Sequence, residues 1–228
     1  MLKLKNKLKA VIFDMDGTII QTDHIWGEVE REQLHELGVR AFSQHDTQFL
    51  ASLSGMSSKL ASKALKNHFG LHGSNSDAMT VRTMELANEH FKRGVKFIPG
   101  FENFHDKLRE TGIPSGIGTN ALPINLTPLR ESMQFHRFFG EHIYCIADVN
   151  FVPKPDPTLF LFVAKQLGVK PEECIVFEDS IYGFQAAKAA GMKCIAIKGP
   201  NNHHLLEHAQ AAIDSYDEAV DALHKILP

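Results

Sequence analysis

An apolar run followed by two aspartates and a glycine constrains the fold more than any other segment. Ala10–Phe13 is apolar at every position, and Asp14-Met15-Asp16-Gly17-Thr18 follows it directly. A short apolar run that ends at a glycine turn indicates a buried strand of a parallel sheet. The two carboxylates then lie at the carboxyl end of that strand, where open α/β sheets form their ligand sites.

The spacing of these aspartates allows two interpretations. Asp and Gly are common turn formers, so the segment can be a plain acidic turn after a strand. Alternatively, the Asp14 carboxylate and the backbone carbonyl of Asp16 bind one hard cation, which leaves the Asp16 carboxylate for proton transfer. The other motifs of the chain must distinguish the two.

Composition excludes several classes of protein. The 228 residues are 43% hydrophobic and 22% charged, which fits one α/β domain with a small appendage. A net charge of -3 argues against a nucleic-acid partner, and the absence of an apolar run of membrane-spanning length argues against a membrane protein. Cys145, Cys174 and Cys194 are scattered without a CxxC motif, which favours a reducing compartment. We expect a cytoplasmic protein, and a monomer because no apolar surface stripe is evident.

Two polar segments could indicate further functions, a secretory signal and a metal site. Neither segment contains the residues that its function requires. Residues 1–9 alternate Lys and Leu without the apolar region of a secretory signal, and we interpret them as a solvated lead-in to the first strand. The histidines at 203, 204 and 208 lack a supporting frame of cysteines or carboxylates, so we predict solvated surface there rather than a metal site.

The pattern of periodicities predicts two parts. Residues 22–96 show helical periodicity without strand-like runs, whereas helices and strands alternate from Pro99 onward. This alternation predicts an α/β fold, a doubly wound, Rossmann-like parallel sheet with right-handed crossovers. We expect a core of residues 1–21 and 97–228 with an inserted α-helical domain of residues 22–96. The predicted strands are 10–13, 113–118, 142–147, 174–177 and 193–197, with a short one at Ile213.

A second acidic pair follows another predicted strand. Glu178 and Asp179 come directly after the apolar strand 174–177. If this strand neighbours the first one, Asp14 and Asp179 repel each other unless a divalent ion lies between them, and Mg²⁺ is the natural occupant. Asp179 and Ser180 can also form a helix N-cap, and both interpretations can hold together.

Two further polar groups are predicted at the same edge of the sheet. Thr119 and Asn120 end the strand 113–118, and their side chains with turn N–H groups can bind phosphate oxygens. Lys154 lies in a loop restricted by three prolines. Taken alone, Gly-Thr-Asn is a turn signal and Lys154 a solubility residue, but beside four carboxylates and a phosphate the lysine becomes a charge neutraliser.

Four ordered motifs together resemble the haloacid dehalogenase-like hydrolase superfamily. They are 14–18, 119–120, 154–157 and 178–180, and they cover essentially the whole chain. The helical insert is similar to the small cap of the branch that contains β-phosphoglucomutases and sugar phosphatases, and residues 177–192 resemble the closing signature of that branch. The dehalogenase branch lacks a second aspartate at the position of Asp16, which argues against dehalogenation.

The resemblance implies a Mg²⁺-dependent phosphatase that acts on a small phosphorylated metabolite, a sugar phosphate. Asp14 would be the nucleophile that forms an aspartyl-phosphate, and Asp16 the general acid and base. The ion would be held by Asp14, the Asp16 carbonyl and Asp179, with Glu178 beside or behind them. Charge on the phosphoryl group would be stabilised by Lys154, Thr119 and Asn120.

The predicted cap departs from the mutase pattern. Where β-phosphoglucomutases carry a histidine and a Lys/Arg pair, this chain has Trp26 and a loop, 53–58, with serines at both basic positions. Trp26 either stacks on a sugar or packs within the cap. The expected substrate contacts from the cap are Thr22, His24, Trp26 and Ser57. The alternatives are a β-phosphoglucomutase-like mutase, a non-catalytic phosphoacceptor, and a binding protein on a decayed enzyme scaffold.

Overall fold

One parallel sheet forms the centre of the molecule. The computed structural model describes residues 8–227, so most of the Lys-rich segment predicted as a solvated lead-in lies outside the described residues. Six strands pair in the order β3-β2-β1-β4-β5-β6, and all five pairs are parallel. They are β1 (Ala10–Phe13), β2 (Ser115–Thr119), β3 (Ile143–Cys145), β4 (Cys174–Glu178), β5 (Lys193–Ile197) and β6 (Ala211–Ile213). The chain adds strands on one side of β1 and then crosses to the other, which confirms the doubly wound sheet.

Along the chain, the four helices of the insert follow β1 and precede the other strands. They are α1 (Asp23–Glu36), α2 (Gln44–Ala51), α3 (Ser58–His68) and α4 (Ser76–Phe91). The later helices are α5 (Phe101–Glu110), α6 (Pro123–Ser132), α7 (Phe135–Phe139), α8 (Thr158–Gln166), α9 (Ile181–Ala189) and α10 (Ala219–Ile226). Gln134 adopts a left-handed conformation (φ 50°) that separates α6 from α7.

The central strand is buried on both faces. Val11 and Phe13 belong to one apolar cluster, whereas Ala10 and Ile12 belong to another. Phe13 stacks on Phe177 of β4 with ring centroids 5.2 Å apart. Because side chains alternate along a strand, burial of all four positions requires helices on both faces of the sheet. The ends of β1 and β4 are therefore fixed by packing on both sides.

The helical insert has an apolar cluster of its own. Its buried members are Leu34, Leu50, Leu53, Leu65 and Met79. The chain enters and leaves the insert side by side, since Gln21 N donates to the Lys96 carbonyl at 2.9 Å and Gln21 Nε2 donates to the Phe97 carbonyl at 2.8 Å. We propose on these grounds that the domain boundaries lie where the sequence places them, at 21/22 and 96/97.

Three sequence observations have simple structural counterparts. All three cysteines are buried and free. The histidines at 203, 204 and 208 are exposed in a short 3₁₀ segment (His203–His208). Within residues 8–227, no helix combines the length and apolar character that crossing a membrane requires.

Candidate active site

The acidic motifs meet at the carboxyl ends of two neighbouring strands. β1 pairs with β4 so that Phe13 lies opposite Phe177, and Asp14 N donates to the Phe177 carbonyl at 3.0 Å. Asp14, Glu178 and Asp179 each place a carboxylate oxygen within 4.8 Å of the others. The two strands are thus neighbours, and three buried carboxylates share one small volume.

Lys154 lies among these carboxylates. Its Nζ is 2.5 Å from Asp14 Oδ1 and 3.0 Å from Glu178 Oε1, and it lies 4.5 Å from the centre of the Phe160 ring. The side chain is only 1% exposed. Burial disfavours its charge, but the facing carboxylates outweigh burial and raise the pKa of Lys154 above its usual range. The lysine is therefore a permanent ammonium in the site.

Glu178 is held in position by the start of α9. Its Oε2 accepts hydrogen bonds from Asp179 N, Ser180 N and Ser180 Oγ, at 2.7–2.9 Å. Ser180 Oγ in turn accepts from Gly183 N at 3.1 Å, so Ser180 is the N-cap of α9, as predicted. A Cβ at Gly183 would lie 1.9 Å from Glu178 Cδ, so only glycine leaves room for this carboxylate.

Asp179 approaches the end of β1 closely. Its Oδ1 accepts a hydrogen bond from Thr18 Oγ1 at 2.9 Å, and a Cβ at Gly17 (φ +70°) would lie 2.4 Å from its Oδ2. Asn202 Nδ2 donates to the Asp179 carbonyl at 2.7 Å. The sequence reasoning assigned no role to Thr18 or Asn202. Thr18 lies within the first motif, whereas Asn202 belongs to no motif and reaches Asp179 from the loop that follows β5.

The electrostatics of this cluster suit a divalent cation. Burial raises the pKa of Asp14 well above its ordinary range; Lys154 opposes the rise, and repulsion from Glu178 adds to it. Burial, then repulsion from Glu178 and Asp14, raises the pKa of Asp179. One ammonium does not balance three buried carboxylates. An all-oxygen set of donors with excess negative charge is the environment that Mg²⁺ prefers, so the residues present fit this ion.

Asp16 points toward the helical insert. Its Oδ1 accepts hydrogen bonds from Thr22 Oγ1 at 2.8 Å and from Trp26 Nε1 at 3.1 Å. Burial raises the pKa of Asp16, and these two hydrogen bonds lower it in part. Trp26 also packs edge-on against Phe91 of α4, with ring centroids 5.8 Å apart. The indole therefore packs within the insert and at the same time contacts the second aspartate.

The end of β2 connects the sheet to the insert. Thr119 Oγ1 accepts from Ala121 N at 3.1 Å. Asn120 Oδ1 accepts from Lys154 N at 3.0 Å, and Asn120 Nδ2 donates to the Gly55 carbonyl at 3.1 Å. Thus Asn120 joins the loop of Lys154 to the loop between α2 and α3.

A cavity of about 250 Å³ separates the sheet edge from the insert. Asp14, Asp16, Thr119 and Asn120 line it from the sheet side. Of the cap contacts expected from the sequence, Thr22 and Trp26 line this cavity, whereas His24 is exposed and Ser57 is buried at the start of α3, both outside the lining. The structure adds Glu30, Ser62 and Asn125, which no motif marks.

Comparison with known proteins shows the family. Residues 11–197 match the model of the haloacid dehalogenase-like hydrolases. YhcW of Bacillus subtilis is 32% identical over 196 residues, covering 83% of each chain. The bifunctional riboflavin kinase/FMN phosphatase of Arabidopsis thaliana is 29% identical over 93% of this chain, which spans only 54% of that relative. Fructose-1-phosphate phosphatase YqaB of Escherichia coli is 28% identical, with 83% of this chain and 96% of YqaB covered.

Among solved structures, CbbY from Rhodobacter sphaeroides in complex with phosphate superposes with a TM-score of 0.78 at 23% identity, covering 95% of this chain and 99% of CbbY. That likeness extends over sheet and insert together. The likeness shows the shared fold, and the matching family model over residues 11–197 leads to one conclusion: the chain belongs to the haloacid dehalogenase-like hydrolases.

Proposed function

We propose that this chain is a Mg²⁺-dependent phosphatase that hydrolyses a small phosphorylated metabolite, a sugar phosphate, through an aspartyl-phosphate on Asp14. The observation that carries the proposal is the contact of Lys154 Nζ with both Asp14 and Glu178, beside Asp179, at the end of β1 where Asp14 also lines the cavity. The phosphatase names of the FMN and fructose 1-phosphate relatives support the class, a phosphoric monoester hydrolase.

In the first half-reaction an Asp14 carboxylate oxygen attacks phosphorus, and the bond from phosphorus to the leaving oxygen breaks. Asp16 donates a proton to that oxygen, so the alcohol leaves neutral. Burial raises the pKa of Asp16, which favours the protonated acid that this step needs. Lys154, Thr119 and Asn120 would stabilise the charge on the transferred group.

In the second half-reaction a water attacks the phosphorus of the aspartyl-phosphate. Asp16, now ionised, takes the proton of that water, and the bond between phosphorus and Asp14 breaks to release phosphate. Thr22 and Trp26 both donate to Asp16 Oδ1, which orients the carboxyl group through both steps. When bound by Asp14, the Asp16 carbonyl and Asp179, Mg²⁺ supplies further positive charge for the phosphate oxygens.

The lining of the cavity favours phosphatase over mutase. A mutase holds a bisphosphate in two orientations, so it needs cations far from the nucleophile. Arg31 is the one cationic residue among the described residues that line this cavity, and Glu30 lies next to it in sequence on the same helix. Incubation with β-glucose 1-phosphate tests this point: we expect free phosphate, and glucose 6-phosphate without phosphate release would establish the mutase instead.

Hydrolysis of p-nitrophenyl phosphate tests the central assignment. We expect turnover that EDTA abolishes and added Mg²⁺ restores. Asp14→Asn keeps the shape of the side chain but removes the nucleophilic oxygen, so kcat should fall about 10³-fold or more. A variant that retains Mg²⁺-dependent turnover would show that Asp14 is not the nucleophile. Absence of turnover by the wild-type protein would favour the non-catalytic phosphoacceptor. Monomeric state and cytoplasmic location remain predictions.

A further inference from the structure

Two histidines and an aspartate meet in the helical insert, outside the lining of the cavity. His45 and Asp46 lie in the first turn of α2, and His68 is the last residue of α3. Each of the three offers one ligand atom, and these atoms lie within 4.8 Å of one another. We propose that they form a second metal site, which binds a divalent transition-metal cation such as Zn²⁺ and joins α2 to α3.

Asp46 and His68 are the fixed part of this site. Asp46 Oδ1 lies 2.7 Å from His68 Nε2, and the two side chains are 22% and 15% exposed. The other carboxylate oxygen, Asp46 Oδ2, accepts hydrogen bonds from Ser43 N at 2.8 Å and from Ser43 Oγ at 2.6 Å. Hydrogen bonds of this kind orient a carboxylate that binds a metal ion. Ser43 therefore holds one oxygen of Asp46 and directs the other at His68.

Aromatic packing positions the imidazole of His68. The Phe49 ring stacks on it with ring centroids 3.8 Å apart and planes 3° from parallel, and the Phe69 ring meets it edge-on at 4.7 Å. The His45 ring also stacks against it, with centroids 5.2 Å apart. His45 is exposed, so rotation about its side-chain bonds turns a ring nitrogen toward the ion. His45 is thus the adjustable ligand of the three.

The donor atoms select the kind of cation. Imidazole nitrogens suit Zn²⁺ and the neighbouring transition metals, whereas Mg²⁺ prefers oxygen donors. Within residues 8–227, three such ligand atoms come this close together in one other place, the all-carboxylate cluster of Asp14, Glu178 and Asp179. The two clusters therefore prefer different ions. Two nitrogens and one oxygen also leave a fourth position for water in a tetrahedral site.

Binding requires only a small adjustment of the fixed pair. In a tetrahedral site with bonds of about 2.0–2.1 Å, two ligand atoms lie about 3.3 Å apart. His68 Nε2 and Asp46 Oδ1 are 2.7 Å apart, which is the separation of a hydrogen bond. Zn²⁺ takes the place of the proton between these atoms, which move slightly apart. His68 then binds the ion as a neutral imidazole that carries its one proton on Nδ1.

The position of the site gives it a structural role. His45 and Asp46 begin α2 and His68 ends α3, so the ion joins the outer ends of the two helices. Between their other ends lies the loop of Gly55, which accepts a hydrogen bond from Asn120 of the sheet edge. The ion therefore holds together the pair of helices that presents this loop. A direct contact of Asp46 with His68 would also join the helices, but only the metal site needs His45.

Isothermal titration calorimetry with ZnCl₂ tests the proposal on the whole chain, with Mg²⁺ in excess to occupy the active site. We expect one Zn²⁺ per chain, bound with micromolar affinity. His45→Ala removes the exposed ligand and places a better helix former in α2, so the variant should fold and its Kd should rise about 10-fold or more. Asp46→Asn should cause a similar loss. Zn²⁺ should raise the melting temperature of wild type more than that of either variant.

The matched control is His72→Ala. His72 is an exposed histidine of the same insert outside the cluster, so this variant should bind Zn²⁺ as tightly as wild type. The inference is overturned if wild type binds no Zn²⁺ or if His45→Ala binds it equally well, and the direct contact of Asp46 with His68 would then be the whole function of the cluster. An equal loss in His72→Ala would also overturn it, because binding would be to surface histidines in general. The readout is binding, so none of these outcomes depends on phosphatase activity.

Discussion

At the scale of single residues, two buried ionisable side chains, Lys154 and Glu30, have contrasting surroundings. Lys154 is enclosed by two carboxylates and an aromatic ring, which stabilise its charge. Glu30 is enclosed by helices, and the neighbouring Arg31 only partly offsets the loss of solvent. The charge of a buried group thus depends on its partners more than on its depth.

This contrast predicts how stability depends on pH. The pKa of Glu30 rises from 4.5 to about 8 on folding, so between these values the folded state binds more protons than the unfolded state. The free energy of unfolding should therefore fall as pH rises through this window and level off above it. Glu30→Gln removes this dependence. We expect urea unfolding to show Glu30→Gln gaining stability over wild type from pH 5 to pH 9.

The control for that measurement is Glu89→Gln, which changes an exposed glutamate of α4. An equal advantage of Glu30→Gln over wild type at pH 5 and pH 9 would contradict the interpretation, because it would show that Glu30 does not change its protonation on folding.

At the scale of secondary structure, the junction of β4 and α9 is the most demanding element. The strand ends at Glu178, whose carboxylate accepts hydrogen bonds from the N–H groups of Asp179 and Ser180, which directly precede α9. Anionic groups are favoured at that end of a helix by its unpaired donors and its dipole. Gly183 lies in the first turn of α9 and has no Cβ. A Cβ at this position would overlap the Glu178 carboxylate.

Gly183→Ala tests this junction. Alanine is favoured over glycine inside a helix by about 1 kcal/mol, but here its Cβ would overlap Glu178. We expect a net loss of about 1–3 kcal/mol in the free energy of unfolding, with lower kcat because Glu178 orients Lys154. Gly27→Ala in α1 is the matched control: no atom lies within 4 Å of its Cβ, so stability should rise. Equal stabilisation of both variants would refute the steric argument.

At the scale of the whole molecule, one loop of the insert lies very close to the sheet edge. Gly55, between α2 and α3, accepts a hydrogen bond from Asn120 and lies so close to Ser180 that its Cβ would be 2.2 Å from the Cβ of that residue. Gly55 also lines the cavity beside the aspartates. Closure of a cap excludes water and positions the substrate.

Gly55→Ala should prevent this approach and lower kcat/KM for the best substrate. Gly70→Ala is its control, because Gly70 has a similar backbone conformation (φ +66° against +74°) but no neighbour within 4 Å of a Cβ. Both variants carry similar backbone strain, of about 1–2 kcal/mol. Steady-state kinetics should show the loss in Gly55→Ala alone, and an equal loss in both would mean that strain, not the contact, is responsible.

Local patterns predicted the acidic and basic groups at the strand ends well, because these groups lie within short motifs. Each motif follows a strand, and parallel strands end at one edge, so Asp14, Lys154 and Glu178 could be placed near one another. The separation of α6 from α7 was missed, since Gln134 gives no sign of a left-handed conformation in the sequence.

What the sequence by itself determined is the parallel sheet, the inserted helices and the set of acidic and basic groups at the strand ends. The sequence determined these features because an apolar run or a glycine turn depends on only a few consecutive residues. Only the tertiary structure decided which carboxylate pairs with Lys154, that Trp26 contacts Asp16, and that Ser62, Asn125 and Glu30 line one cavity. Those contacts join residues far apart in the chain, and whether a buried polar group is satisfied depends on the packing of several elements at once.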